Sequence, residues 1–299
     1  MRRPPSLGAG ARVALVAPAG PLRNSAELDT AVANVESLGW TATVGAHVLA
    51  RDGYLAGSDA ERLADLNNAL KGSSVDGIWC LRGGYGSMRL LAGIDYGALA
   101  SRPRAVIGYS DITAMHAAIG GRANLVSFHG PTARGALTAF SRDSLLRAVS
   151  TGADCCGHAR GARTLARGRA KGRLVGGNLA LLASLSGTPY APDYAGAILV
   201  LEDVGEPTYR IDRMLTQLAL SGALSKIAGL VSGQFTDGTP SHDASSRKLD
   251  DVLREAAAIA KVPAIAGAPI GHIDEQWTIP LGATAELDAD ARSLHVLGA

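Results

Sequence analysis

The sequence predicts an α/β fold with mostly parallel strands. Two observations predict it: short apolar runs alternate with segments of helical apolar spacing, and turns rich in glycine or proline close most of the runs. Runs that are apolar throughout are typical of strands buried on both faces, as in a parallel sheet. The last short strand-like runs, separated only by turns, favour hairpins at the end of the chain.

Composition limits the function classes. The chain has 299 residues, 47% hydrophobic and 19% charged, which predicts a globular protein of one large domain or two ordinary ones. A formal net charge of +2 gives no reason to expect a nucleic-acid or membrane partner. Three cysteines without C-x-x-C spacing indicate neither a zinc site nor a disulfide framework. With no apolar run long enough to span a bilayer, we expect a soluble, cytoplasmic protein.

The first half contains the clearest alternation. Val13–Ala17 is an apolar run closed by Pro18-Ala19-Gly20, and Asn24 with Glu27 three residues later predicts the start of a helix. Ser58 with Glu61 predicts a second capped helix. Further strands are predicted at 41–44, 77–81, 105–107 and 125–128.

The segment 157–173 has a different character. It carries six basic residues among glycine and alanine, without an apolar period: Arg160, Arg163, Arg167, Arg169, Lys171 and Arg173. A nucleic-acid patch is one interpretation, but no aromatic residues interleave, and a solvated linker is favoured. We therefore predict domains at 1–150 and 165–299, with a linker at 151–164.

The second half resumes the alternation. A buried strand at 197–201 ends in Glu202 and Asp203, and another at 262–268 precedes Gly271-His272. Helices are predicted at 179–185, 209–220 and 245–259, and strands at 229–235, 278–281, 284–287 and 293–296.

Ser110 lies where an apolar strand turns directly into a helix. A serine at the tip of such a turn exposes its hydroxyl, and the next backbone N–H can face a substrate oxyanion. We interpret Ser110 as a nucleophile; the alternative is a helix N-cap. The turn departs from G-x-S-x-G because position 112 is isoleucine.

Ser110, Glu202 and His272 each follow a short buried strand, so the three can meet at one edge. A histidine base would activate the serine, and a carboxylate would orient the histidine. Glu202 could instead cap a helix, and His272 could be structural. His129 also ends a strand and is the main rival base, whereas His116 lies too far along the Ser110 helix.

The segment Arg82-Gly83-Gly84-Tyr85-Gly86 follows another strand. Its spacing fits neither a Walker A loop nor a dinucleotide fingerprint. We prefer an oxyanion hole, with backbone N–H groups from Gly84 and Asp111, over a phosphate loop.

Several stretches together resemble the LD-carboxypeptidases, a family of serine peptidases that includes the microcin C immunity proteins. The matching pieces run in order through nearly the whole chain: VAPAG at 16–20, YLAGSD at 54–59, RGGYG at 82–86, GYSD at 108–111, GGNL at 176–179, LED at 201–203, YRIDR at 209–213, GH at 271–272 and IPLG at 279–282.

The resemblance implies a flavodoxin-like N-terminal domain with the serine elbow, and a smaller β-rich C-terminal domain. It implies Ser110 as nucleophile, His272 as base and Glu202 as orienting acid, with Gly84 and Asp111 at the oxyanion hole. It further implies a homodimer that needs no metal or cofactor, and a partner that is a muropeptide rather than nucleic acid or membrane.

The implied reaction is removal of the terminal D-alanine from the cytoplasmic murein tetrapeptide L-Ala-γ-D-Glu-meso-diaminopimelate-D-Ala, in peptidoglycan recycling. Arg82, Arg213 and His129 are candidates on charge for holding the terminal carboxylate. The alternative within the family is an immunity-type enzyme that cleaves acyl-sulfamoyl-nucleotide amides. Low aromatic content favours the muropeptide.

Overall fold

Two sheets organise the chain in the computed structural model, which describes residues 1–238 and 247–298. The strands are β1 Arg12–Val16, β2 Thr41–Val44, β3 Gly77–Cys80, β4 Ala105–Gly108, β5 Ser127–His129, β6 Gly157–His158, β7 Arg163–Ala166, β8 Arg169–Asn178, β9 Ile198–Val204, β10 Gly229–Thr236, β11 Ala264–Ala266, β12 Ile279–Leu281, β13 Thr284–Asp288 and β14 Ser293–Val296. The α-helices are α1 Ser25–Ser37, α2 Asp59–Lys71, α3 Tyr96–Ser101, α4 Thr113–Ala123, α5 Ala139–Leu146, α6 Leu179–Leu185, α7 Thr208–Leu220 and α8 Leu249–Ala260.

The first sheet has the strand order β12-β5-β4-β3-β1-β2. Strands β1 to β5 pair in parallel, as the apolar sequences of β1, β3 and β4 predict. Strand β12 comes from the far end of the chain and pairs antiparallel with β5, with Ile279 opposite His129. The C-terminal part therefore completes the N-terminal sheet.

The second sheet has the order β6-β14-β13-β8-β9-β10-β11-β7. Its centre, β8 to β11, is parallel, whereas the flanking strands pair antiparallel. A mixed α/β architecture with a parallel first sheet and a second sheet agrees with the predicted fold class. Only β13 and β14 form the hairpin expected at the end of the chain.

Local capping signals are confirmed. The Asn24 side chain accepts a hydrogen bond from the Glu27 N–H at 3.2 Å, where α1 begins. Ser58 and Glu61 form the reciprocal capping box of α2. These bonds satisfy N–H groups that the first turn of a helix leaves free. The capping residues therefore predict the start of each helix from the sequence alone.

Much of the segment predicted as a solvated linker is strand instead. Residues 157–158 belong to β6, 163–166 to β7 and 169–173 to β8, and five of the six basic side chains pair with carboxylates on neighbouring elements. The ion pairs are Arg163–Asp250, Arg167–Asp290, Arg169–Asp288, Lys171–Glu286 and Arg173–Asp193. Arg169–Asp288 and Lys171–Glu286 are cross-strand pairs between β8 and β13, and such pairs contribute to the stability of a sheet. The division at 151–164 stays a prediction.

A continuous apolar core joins the two sheets. One cluster of buried residues contains Trp79 and Phe128 of the first sheet together with Val200 and Val231 of the second.

All three cysteines are free thiols. Within the two described ranges, no helix is both long and apolar enough to cross a membrane. The first two residues of the predicted helix at 245–259 lie outside the described residues, and the helix observed in the remainder is α8, Leu249–Ala260.

Candidate active site

Ser110 occupies a sharp turn between β4 and α4. Its φ of 63° is in the left-handed region, which is uncommon for a residue other than glycine. One 3-10 turn, Ser110–Ile112, connects directly to α4. A strained strand-to-helix turn that exposes a hydroxyl is the arrangement of a nucleophile elbow.

The helix-cap interpretation of Ser110 is wrong. The residue that precedes α4 is Ile112, the one that precedes the 3-10 turn is Tyr109, and neither start carries a side-chain capping bond. The Ser110 hydroxyl instead lies 3.1 Å from Nε2 of His272.

His272 connects the serine to a buried carboxylate. Its Nδ1 lies 2.8 Å from Oε2 of Glu202, so the contacts run Ser110–His272–Glu202. The imidazole is 20% exposed, whereas the Glu202 side chain is fully enclosed. A carboxylate on Nδ1 keeps the proton there and leaves the Nε2 lone pair directed at the serine.

Backbone constraints bring the two partners together. Glu202 lies in β9, where it pairs with Asn178 of β8. Gly271 precedes the histidine with φ 114°, and a Cβ there would lie 2.9 Å from the Glu202 Cβ. Only glycine therefore permits the close approach that places His272 over Glu202.

Asp203, next to Glu202, has a structural role. Its carboxylate accepts hydrogen bonds from the Asn178 side chain at 2.8 Å and from the Ala180 N–H at 2.9 Å. Burial raises the pKa of Asp203 to about 6. These bonds tie β9 to the start of α6, so Asp203 holds the strand that carries Glu202.

The glycine loop after β3 packs against the serine. A Cβ on Gly83 would lie 3.1 Å from Ser110 Oγ and 3.2 Å from the Asp111 nitrogen, and Gly84 has φ 102°. The loop backbone and the Asp111 N–H thus lie beside the hydroxyl. Two N–H donors in this position can bind a developing oxyanion.

Buried polar contacts hold that loop. The Asp111 carboxylate accepts a hydrogen bond from the Ser87 N–H at 2.8 Å, and the Ser87 hydroxyl donates to the Asp111 carbonyl at 2.6 Å. The buried Arg62 donates to the carbonyls of Pro18 and, at 3.0 Å, of Gly86. From the sequence, only a backbone role was predicted for Asp111, and no role was predicted for Arg62.

The rival histidines are enclosed. His129 is fully buried, and neither ring nitrogen has a hydrogen-bond partner among the described residues. Burial, and then the nearby His116, hold the pKa of His129 well below its usual value. His116 contacts the Ser127 hydroxyl and the Gly108 carbonyl, and burial lowers its pKa to about 4. Neither of the two contacts Ser110.

The three predicted carboxylate ligands occupy different environments. Arg82 is half-buried and donates to the Pro21 carbonyl beside the glycine loop. Arg213 is exposed on α7, where its guanidinium lies 5.5 Å from the centroid of the Tyr209 ring. His129 is enclosed.

Within the described ranges, no group of three or more histidine, cysteine or acidic residues could hold a metal ion.

Comparison with protein families matches both halves of the chain. Residues 13–130 match the LD-carboxypeptidase N-terminal domain, and residues 171–287 match the LD-carboxypeptidase C-terminal domain. The chain belongs to the LD-carboxypeptidase family. The matched ranges lie inside the two predicted domains, and membership of this family makes the protein a peptidase.

Similar proteins extend over the whole chain. A probable murein peptide carboxypeptidase of Bacillus subtilis is 38% identical over 96% of this chain and 91% of its own. The murein tetrapeptide carboxypeptidase of Pseudomonas aeruginosa is 39% identical over 93% of this chain and 94% of its own.

Solved structures agree with the fold. The muramoyltetrapeptide carboxypeptidase of Oxalobacter formigenes superposes with a TM-score of 0.85 at 31% identity, covering 96% of this chain and 98% of that chain. The microcin C7 self-immunity protein MccF superposes with a TM-score of 0.90 at 22% identity, over 99% of this chain and 98% of MccF. The second likeness shows the fold alone.

Proposed function

We propose that this LD-carboxypeptidase is a serine peptidase that removes the terminal D-alanine from the cytoplasmic murein tetrapeptide during peptidoglycan recycling. The observation that carries the proposal is the unbroken contact chain from Ser110 through His272 to the buried Glu202. The names of the relatives from Pseudomonas aeruginosa and Oxalobacter formigenes support the substrate. The homodimer stays a prediction.

In the proposed first step, Ser110 Oγ attacks the diaminopimelate carbonyl carbon while His272 Nε2 accepts the hydroxyl proton. Glu202 stabilises the imidazolium that forms, because it holds the Nδ1 proton. The carbonyl oxygen becomes an oxyanion and accepts hydrogen bonds from the N–H groups of Gly84 and Asp111. One such donor is typically worth ~10²–10³ in rate.

The intermediate then collapses. The bond to the D-alanine nitrogen breaks, and His272 gives its proton to that nitrogen as free D-alanine leaves. A water molecule, deprotonated by His272, attacks the remaining Ser110 ester. Collapse of the second intermediate returns the proton to Ser110 and releases the tripeptide acid.

The experiment is mass spectrometry of the murein tetrapeptide incubated with the wild type, with Ser110→Ala and with Ser101→Ala. Ser101 is an exposed serine at the end of α3 and serves as a matched control. We expect loss of one D-alanine with the wild type and the control only. Cleavage by Ser110→Ala would exclude Ser110 as nucleophile. Cleavage of an acyl-sulfamoyl nucleotide in place of the tetrapeptide would favour the immunity-type activity.

A further inference from the structure

Four arginines surround the edge of the first sheet that carries Ser110. Arg23 follows β1, Arg51 follows β2, Arg82 follows β3 and Arg134 follows β5, whereas the remaining parallel strand, β4, is followed by Ser110. The carboxyl ends of parallel strands form one edge of a sheet, and ligands bind there. Each of the five parallel strands therefore contributes either the proposed nucleophile or one cation to the same edge.

The loop after β1 holds two of these side chains. The Arg82 guanidinium donates to the carbonyl of Pro21, and the Arg51 guanidinium donates to the carbonyl of Leu22 at 2.8 Å. Both bonds go to neutral acceptors, so they orient the guanidinium groups without neutralising their charge.

A single carboxylate offsets the cluster. Arg134 lies 2.6 Å and Arg23 lies 3.9 Å from Oε1 of Glu27. Among residues 1–238 and 247–298, Glu27 is the only carboxylate within ion-pair distance of any of the four arginines. Four positive charges against one negative leave an excess of three. Burial, and then the charge of Arg134, lower the pKa of Arg82.

Arg82 is also adjacent to the proposed reaction centre. Its Nε lies 3.7 Å, and the Cα of Gly84 lies 3.6 Å, from the point where a Cβ on Gly20 would stand. The guanidinium and the loop with the proposed oxyanion donor thus border the same space. In a carboxypeptidase substrate, only three bonds separate the scissile carbonyl carbon from the terminal carboxylate carbon, so the two recognition points must be this close.

We propose that the four-arginine cluster is the site for the substrate's terminal carboxylate, with Arg82 as its direct ligand and Arg134 as a second cation that strengthens it. The inference rests on the proposed function. A planar guanidinium binds a carboxylate through two parallel N–H donors, and partial burial strengthens the pair. Arg213 is exposed on another element, and His129 is enclosed and neutral, so neither competes for this role.

The test compares two substrates, the tetrapeptide acid and the same peptide with a C-terminal amide on its D-alanine. Each is assayed with the wild type, Arg82→Gln, Arg82→Lys, Arg134→Gln and a control, Arg147→Gln. Arg147 pairs with Asp143 at the end of α5, away from the cluster. The readout is the ratio of kcat/KM for the acid to kcat/KM for the amide.

We expect the wild type and the control to prefer the acid by about 10- to 100-fold, the usual range for a charge-assisted hydrogen bond. Arg82→Gln should reduce this preference to within a few-fold, chiefly through a lower kcat/KM for the acid, and Arg82→Lys should restore part of it. Arg134→Gln should reduce the preference less.

Three outcomes would overturn the inference while the proposed function stands. One is an acid preference that survives Arg82→Gln. A second is an equal loss of both substrates, because a purely structural arginine would impair both alike. The third is a wild type that cleaves both peptides without preference. If the wild type cleaves neither peptide, the proposed function itself fails.

Discussion

Two histidines lie beside the ring of Tyr109, and they differ in their burial and in their hydrogen-bond partners. The ring centroid of His272 lies 4.8 Å from that of Tyr109, and the centroid of His129 lies 6.0 Å away. His272 has a carboxylate on one nitrogen and the Ser110 hydroxyl on the other. His129 has no hydrogen-bond partner on either nitrogen within the described part of the chain.

The comparison shows that a position at the end of a strand does not by itself make a histidine a base. A general base must gain and lose a proton during turnover, so its charged form has to be tolerated. Complete burial without an anion opposes the charged form of His129. His272, by contrast, has the Glu202 carboxylate 2.8 Å from its Nδ1 and is 20% exposed.

The largest expected effect separates the two histidines directly. His272→Ala should lower kcat by about 10⁴- to 10⁶-fold, because the serine then lacks a base. His129→Gln should stay within about tenfold of the wild type. Steady-state cleavage of the tetrapeptide measures both. A comparable collapse of kcat in a well-folded His129→Gln protein would contradict this assignment of the base.

The second test removes the feature that distinguishes His272. Glu202→Gln keeps the shape of the side chain but removes its negative charge, so we expect kcat to fall about 10³- to 10⁴-fold. The wild-type acid preference should persist, because the arginine cluster is intact. A variant with wild-type kcat would show that the carboxylate does not orient the base.

A third test concerns the loop opposite His272. Asp111→Ala retains the backbone N–H but removes the acceptor for Ser87, so the glycine loop should shift. Misplacing a catalytic donor by about 1 Å can cost ~10²-fold, and we expect kcat to fall by about 10- to 100-fold with little change in KM. Asp111→Asn should recover part of the activity. An increase in KM with unchanged kcat would instead indicate a role in substrate binding.

The fourth test uses pH. The pKa of His129 in the folded protein lies below its unfolded value, so the unfolded state binds the proton first as the pH falls. The stabilising contribution of neutral His129 is thus present above about pH 6.5 and lost as the pH drops below it. We expect the His129→Gln variant to lose less unfolding free energy than the wild type between pH 6.5 and 4. Denaturant titrations across this range would reveal the difference, and parallel pH curves would refute it.

The smallest expected effect is on the stability of a Ser110 variant. Ser110→Ala removes one half-buried hydrogen bond of 3.1 Å and no capping bond. We therefore expect its unfolding free energy to stay within about 1 kcal/mol of the wild type. Calorimetry is the measurement, with Ser58→Ala as a contrast, because loss of a true cap costs about 1 kcal/mol or more. A larger loss for Ser110→Ala than for Ser58→Ala would contradict the absence of a capping role.

Local signals in the sequence were sufficient for most elements. The apolar runs at β1, β3 and β4 predict buried parallel strands, and Asn24 and Ser58 predict where α1 and α2 begin. They succeed because the periodicity and the capping bonds involve neighbours in the chain. The same is true of the Ser110 turn, where strand, serine and helix follow one another directly.

Only the tertiary structure decided the features that depend on distant partners. Much of the basic run at 157–173 forms strands because β11, β13 and β14, from distant parts of the chain, pair with it, and β12 joins the first sheet across some 150 residues of chain. Arg134 was not predicted, since its neighbours in sequence do not show that three other arginines lie nearby. The choice of His272 over His129 likewise depends on burial and on Glu202. The sequence by itself determined the elements and the candidate residues, whereas packing between distant segments decided which of them meet and which remain enclosed.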